Sequence, residues 1–118
     1  MREAEYGILA DKHNWKYIWF GEHHGLTEYS HMSAPAPVMG WVAAQPADIH
    51  IGSAITSLPT NKEHPVRIAE RAAMLDHVTN NRFEFGTGRG AGSHELKTFS
   101  GTLPSQTKAM WAVSYTHL

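Results

Sequence analysis

The sequence predicts an α/β fold with a parallel sheet. Segments of strand character alternate with helical ones in the order strand, helix, strand, helix, strand, loop, helix, and such alternation builds right-handed βαβ units. Three polar or glycine-rich stretches, Glu22-His23-His24, Ser53-Ala54-Ile55 and Gly86 to Gly92, each follow a strand end. Parallel α/β architectures carry their chemistry at the C-terminal ends of strands, so all three converge on one edge. The 118 residues, 42% hydrophobic and 18% charged, suffice for one small globular domain.

Residues Arg2 to His13 read as the end of a helix. Tyr17-Ile18-Trp19-Phe20, β-branched and aromatic and bounded by Gly21, reads as a buried strand. Ala34-Pro35-Ala36-Pro37 then leads into Val38, Met39, Trp41, Val42, Ala43 and Ala44. A helix can open on proline because its first turn needs no N–H donor there. It stops at Gln45-Pro46, since the residue before proline avoids the α region. Ile49 to Ile55 is the second strand, broken afterwards by Pro59 and the polar loop Thr60-Asn61-Lys62-Glu63. Pro65 opens the clearest helix, with Ile68, Ala72 and Leu75 on one stripe of a 3.6-residue period. Asn80-Asn81 ends it, asparagine tolerating the left-handed conformation of a helix stop. Phe83-Glu84-Phe85-Gly86 is the third strand, and Gly86 to Gly92 is a glycine-rich loop leading towards a weaker helical segment around Ser105 to Trp111.

Composition excludes several roles. Ten basic and eleven acidic side chains give a formal charge of -1, and no basic stripe exists for nucleic acid. Cysteine is absent, which removes disulfides, thiolate zinc sites and a cysteine nucleophile, and fits a cytoplasmic location. No apolar run approaches the ~20 residues that span a bilayer, so no membrane role is expected. The start, Met1-Arg2-Glu3-Ala4-Glu5, carries acids where a signal peptide is basic. Nine histidines stand out, yet His13, His31, His50, His77 and His117 have no partner at an obvious spacing. Glu22-His23-His24 is the compact knot.

That knot admits three readings. Imidazole and carboxylate suit zinc or iron, but adjacent strand residues point to opposite faces, so a metal would need further ligands. The second is a histidine pair satisfied by neighbouring carbonyls. The third is a general acid/base or electrophile beside a bound cofactor. The glycine loop satisfies the dinucleotide pattern with Ala91 at the third position, but no acid occurs after Glu95 to bind a ribose. Its glycines better suit close approach of the backbone to a planar or phosphate-bearing ligand, with Arg89 as the charged partner; the bland alternative is a flexible loop with a solvated arginine.

Glu22-His23-His24, Ser53 to Pro59, His64-Pro65-Val66-Arg67, Ala69-Glu70, Leu75-Asp76, Arg82-Phe83 and Gly86-x-Gly88-Arg89-Gly90 come in a specific order and spacing. Together they resemble the bacterial luciferase-like flavin-dependent monooxygenases, from about Gly7 to Trp111. The resemblance implies part of a (β/α)8 TIM barrel, a fold of ~250 residues, with this chain holding parallel strands roughly two to four and their helices. Residues 1–111 are then a luciferase-like barrel fragment. Residues 112–118, which do not continue the family's amphipathic helix, are expected to be a non-native tail, and the fragment alone is expected to be inactive.

By the same resemblance, His23 matches the active-site histidine beside the flavin ring and Glu22 the acid before it. Ala54-Ile55 matches a non-proline cis peptide against the isoalloxazine. Arg89 matches an arginine on the flavin phosphate, and Lys108 stands where relatives often have a second one, without the bidentate fork. Gly88 replaces a cysteine of luciferase itself, so light emission is not implied; the Asn61-Lys62-Glu63 loop is longer than in luciferase. The implied cofactor is reduced FMN supplied by a flavin reductase, acting with oxygen on a small organic substrate such as an aldehyde or alkane. The alternatives are hydride transfer with a deazaflavin on the same fold, a non-catalytic barrel fragment, and a histidine-rich α/β binding module. Helices on this side form the family's dimer interface, so a homodimer is implied, and Ile68, Ala72 and Leu75 are candidates for it.

Overall fold

The fold, seen in a computed structural model, is described for residues 2–45, 47–59, 62–88, 90 and 92–100. The elements in order are α1 (Arg2–Lys12), β1 (Tyr17–Phe20), α2 (Pro35–Ala43), β2 (His50–Ser53), β3 (Thr56–Ser57), α3 (Pro65–Val78), β4 (Phe83–Glu84), β5 (Thr87–Gly88) and α4 (Ser93–Ser100). Strands β1, β2 and β4 pair in that order, all parallel, and β3 pairs with β5, also parallel. The βαβ expectation therefore holds: parallel neighbours need a helical crossover, and α2 and α3 supply it.

Local sequence accounts for these elements. Pro35 starts α2 without a side-chain cap. In α3 the ring of His64 caps the helix, its Nδ1 accepting from the Val66 N–H at 3.2 Å, and Pro65 fills the position that needs no donor. Asn80 and Asn81, at φ 55° and 62°, take the left-handed turn after α3. Asp11 near the end of α1 accepts from the N–H groups of Asp48 and Ile49, both at 2.9 Å, and so ties that helix to the start of β2.

The register divides the sheet into two faces. Ile18, Ile51 and Phe83 align across three strands. Ile51 is fully buried and packs in one core with Phe20, Val38, Met39, Val42 and Leu75. Each such side chain contributes about 1.5–3 kcal/mol on leaving water. The other face carries Tyr17, Trp19, His50 and Glu84; the Tyr17 and Trp19 rings stack at 6.4 Å, and His50 Nδ1 meets Glu84 Oε1 at 2.8 Å. His50 thus finds a partner through strand pairing, which spacing along the chain did not reveal. Ile68 and Leu75 of α3 are buried within the chain, and the large apolar side chains left exposed on that helix are Val66, Met74 and Val78. Of the Ile68, Ala72 and Leu75 stripe, Leu75 packs in this core, Ile68 is buried beside it and Ala72 is half-buried.

A compact joint closes the α3–β4 turn. Thr79 is fully buried. Arg82 donates from Nε to the Thr79 carbonyl at 2.8 Å and from Nη1 to the Ile49 carbonyl at 3.0 Å. The guanidinium therefore links the end of a helix to the start of the neighbouring strand.

Two expectations are corrected. The second strand is not continuous to Ile55: it ends at Ser53, and Ala54–Ile55 is a cis peptide bond between β2 and β3. The stretch after Gly86 is not all loop, because Thr87–Gly88 forms a parallel bridge and α4 begins at Ser93. The expected helical segment at Ser105 to Trp111 and the tail at 112–118 lie outside the described residues.

Candidate active site

The sheet splits at the strand ends, and the split builds the site. Ser53 at the end of β2 donates from Oγ to the Gly86 carbonyl at 2.9 Å and accepts from the Gly86 N–H at 3.1 Å. The same Gly86 carbonyl accepts from Thr56 at 2.8 Å, beyond the cis bond. Gly86 is required by close approach: a Cβ there would lie 2.1 Å from the Ser53 carbonyl oxygen. Ala54 donates to the Phe20 carbonyl at 2.8 Å, so the cis peptide is held against the end of β1.

A cavity of about 590 Å³ opens beside this rim, lined by Glu22, His23, Ala54, Ile55, Lys62 and Glu95 among others. Four of the residues singled out from sequence, Glu22, His23, Ala54 and Ile55, are thereby brought together. Gly88 sits behind Ile55, where a Cβ would come 2.4 Å from Ile55 Cδ1. Arg89 and Lys108 lie outside the described residues.

Glu22 is the electrostatic centre. Its Oε1 accepts from Lys62 Nζ at 2.6 Å and from His24 Nε2 at 2.8 Å, and its side chain is only 14% exposed. Burial alone would push its pKa up. The hydrogen bonds from Lys62 and His24 and their charges outweigh burial and hold the carboxyl below its ordinary value. His23 turns the other way, its Nδ1 lying 3.1 Å from Glu95 Oε1. The same oxygen accepts from the His24 backbone N–H at 2.9 Å. Lys62 and Glu95 were not read as site residues. Lys62 sits in a loop whose sequence signalled only polarity, and Glu95 reaches the site from 72 residues away on a helix with weak sequence signal.

The backbone suits a flat ligand. Gly90 and Gly92 line the cavity together with the Ala54–Ile55 peptide. The volume falls within the ~300–1,000 Å³ usual for cofactor and small-molecule sites. Among the described residues no cluster of three or more histidine, aspartate or glutamate side chains could hold a metal ion, and no helix is long and apolar enough to cross a membrane.

Parallel βα units with a cavity at the strand C-termini are the arrangement of a βα-barrel segment. A model of the luciferase-like monooxygenase family matches residues 2–110, and the chain belongs to that family. It is 32% identical to a 4-hydroxyprotoasukamycin monooxygenase of Streptomyces nodosus subsp. asukaensis over 113 residues, covering 96% of this chain and 29% of the relative. It is 28% identical to the alkanal monooxygenase alpha chain of Photorhabdus luminescens, covering 92% of this chain and 29% of that one. In fold it resembles the oxygenating constituent of a 3,6-diketocamphane monooxygenase from Pseudomonas putida, solved in complex with FMN. The TM-score there is 0.87 at 18% identity, over 98% of this chain and 32% of the other. A monooxygenase from Streptomyces bottropensis gives 0.82 at 23% identity, over 97% of this chain and 34% of the other. The chain thus spans about a third of the length of the relatives it matches.

Proposed function

We propose that this chain is the part of a flavin-dependent monooxygenase that carries one wall of the FMN site, and that the complete barrel oxygenates a small organic substrate. The observation that carries the reading is the convergence of Glu22, His23 and the cis Ala54–Ile55 peptide on one cavity at the strand C-termini. One FMN-bound fold relative and monooxygenase sequence relatives support it.

Reduced FMN, when bound, supplies the electrons that activate oxygen. The chain's own residues do the rest. The Ala54–Ile55 backbone and the bare glycine backbone at Gly90 and Gly92 bracket a planar ring, and Gly88 leaves room for Ile55 beneath it. Arg89 and Lys108 are the residues proposed to hold the phosphate, the arginine with a fork and the lysine as a point charge. His23 takes up and returns a proton at Nε2 beside the reacting atoms. Glu22, locked by Lys62 and His24, keeps a negative charge fixed behind that histidine. Helix α4 braces the His23 loop through Glu95, Thr98 and Phe99.

We infer further that the complete protein is a homodimer, works in the cytoplasm and receives reduced FMN from a separate flavin reductase. Lack of cysteine is consistent with that compartment. The test is flavin titration and product yield in the full-length protein carrying this segment. Arg89→Ala should weaken FMN binding by roughly 10- to 100-fold, the worth of one charged hydrogen bond. His23→Ala should bind FMN nearly normally and turn over at least ~100-fold more slowly. Normal flavin binding in the first variant with wild-type turnover in the second would overturn the assignment.

A further inference from the structure

We propose that Glu95 is a positioning residue that fixes the tautomer of His23, a role that rests on the flavin reading above and adds a residue to it. The structure carries it through one oxygen atom. Glu95 Oε1 lies 3.1 Å from His23 Nδ1 and accepts from the His24 backbone N–H at 2.9 Å. A carboxylate has only lone pairs to offer, so the ring must donate. In the neutral ring its proton is then assigned to Nδ1, and Nε2 is left as the nitrogen able to take a proton from a substrate or oxygen-derived group.

The carboxylate is the more buried and more hydrogen-bonded of the two partners. The Glu95 side chain is 15% exposed, against 48% for His23. A backbone N–H grips the carboxylate independently of any side-chain rotamer. Glu95 also lies in the first turn of α4, where a negative charge meets the unpaired N–H groups of the helix start. The helix itself is tied to the histidine loop. Phe99 meets the His24 ring edge-on at 4.8 Å and 84°, and Lys62 Nζ lies 5.8 Å from the Phe99 centroid. Gly25, at φ +68°, passes so close to Thr98 that a Cβ would lie 2.9 Å from its Oγ1. Helix and loop therefore form one clamp, with Glu95 as its contact on the candidate catalytic ring.

The experiment uses the full-length protein with selectively 15N-labelled histidine, sedimented for solid-state NMR, at about pH 8.5 where imidazole is ordinarily neutral. A His23→Gln difference spectrum assigns the ring. His23 should carry its proton on Nδ1 in the wild type, the reverse of a free histidine side chain in water. Glu95→Gln and Glu95→Ala should each erode that preference by roughly tenfold. FMN affinity should stay within about twofold while kcat falls about 10- to 100-fold. Glu95→Gln keeps an acceptor for the His24 N–H, and the wild-type spectrum needs no variant at all, so misfolding of Glu95→Ala leaves the test intact. An Nε2–H tautomer in the wild type, or a tautomer ratio indifferent to both substitutions, overturns the proposal. A Glu95-dependent tautomer in a protein that binds no flavin would instead overturn the flavin reading and leave the clamp standing.

Discussion

Glu22 illustrates how a single side chain holds the rim together. A carboxylate this buried is stable only because an ammonium and an imidazole share one of its oxygens. Glu22→Gln would leave the Lys62 amine, itself 14% exposed, without its counter-charge, and should cost the full-length protein about 2 kcal/mol at pH 7. The sign with pH follows from the lowered carboxyl. A depressed folded pKa means stability that is present above the ordinary value of 4.5 and is lost as pH falls below it. Urea midpoints of wild type and variant should therefore converge under acid; a gap that widens below pH 4.5 would contradict the ion network. At this scale the sequence disclosed what is contiguous. Glu22 and His23 stand out as a polar knot directly after an apolar run, whereas Lys62 and Glu95 acquire their meaning only when a loop and helix α4 fold back onto that knot.

Among the elements, the close approach of β2 and β4 is the most demanding. Gly86→Ala would drive a methyl into the Ser53 carbonyl oxygen, a backbone atom that cannot step aside, and should destabilise by at least about 3 kcal/mol. Gly40 in α2 is the matched control, since a Cβ there meets nothing within 4 Å. Gly40→Ala should stabilise by about 0.5–1 kcal/mol through helix propensity. Thermal or urea unfolding of the two variants checks the pair, and equal effects would refute the packing argument. Strong local signals made most elements readable: proline starts for α2 and α3, an asparagine stop, and aromatic or β-branched strands. The break at Ala54–Ile55 was read from family resemblance, because nothing in the local propensities of Ser53-Ala54-Ile55-Thr56 interrupts a strand. Strand β5 and helix α4 were missed for a different reason. Three glycines between Gly86 and Gly90 depress strand propensity, and the pairing of Thr56 with Thr87 supplies what propensity lacks.

At the largest scale the described residues form a thin slab, with a shortest principal extent of 18 Å. Strand β1 forms one edge of the larger sheet and β4 the other. On the face away from the core Tyr17 is 40% and Trp19 50% exposed. Unpaired edges beside exposed aromatics invite pairing with another copy. Expressed alone, the chain should self-associate in a concentration-dependent way in sedimentation, and a cooperatively melting monomer would overturn that expectation. The joint at Thr79 and Arg82 works at the opposite end of the strands from the cavity. By grasping the carbonyl of Ile49 as well as that of Thr79, Arg82 gives the α3–β4 unit its own alignment key to β2. Such a unit is portable. Because the lock is a main-chain carbonyl that any residue supplies, recombination between related barrels should tolerate crossovers between Ile49 and Arg82 wherever the arginine is kept, and lose stability where it is not.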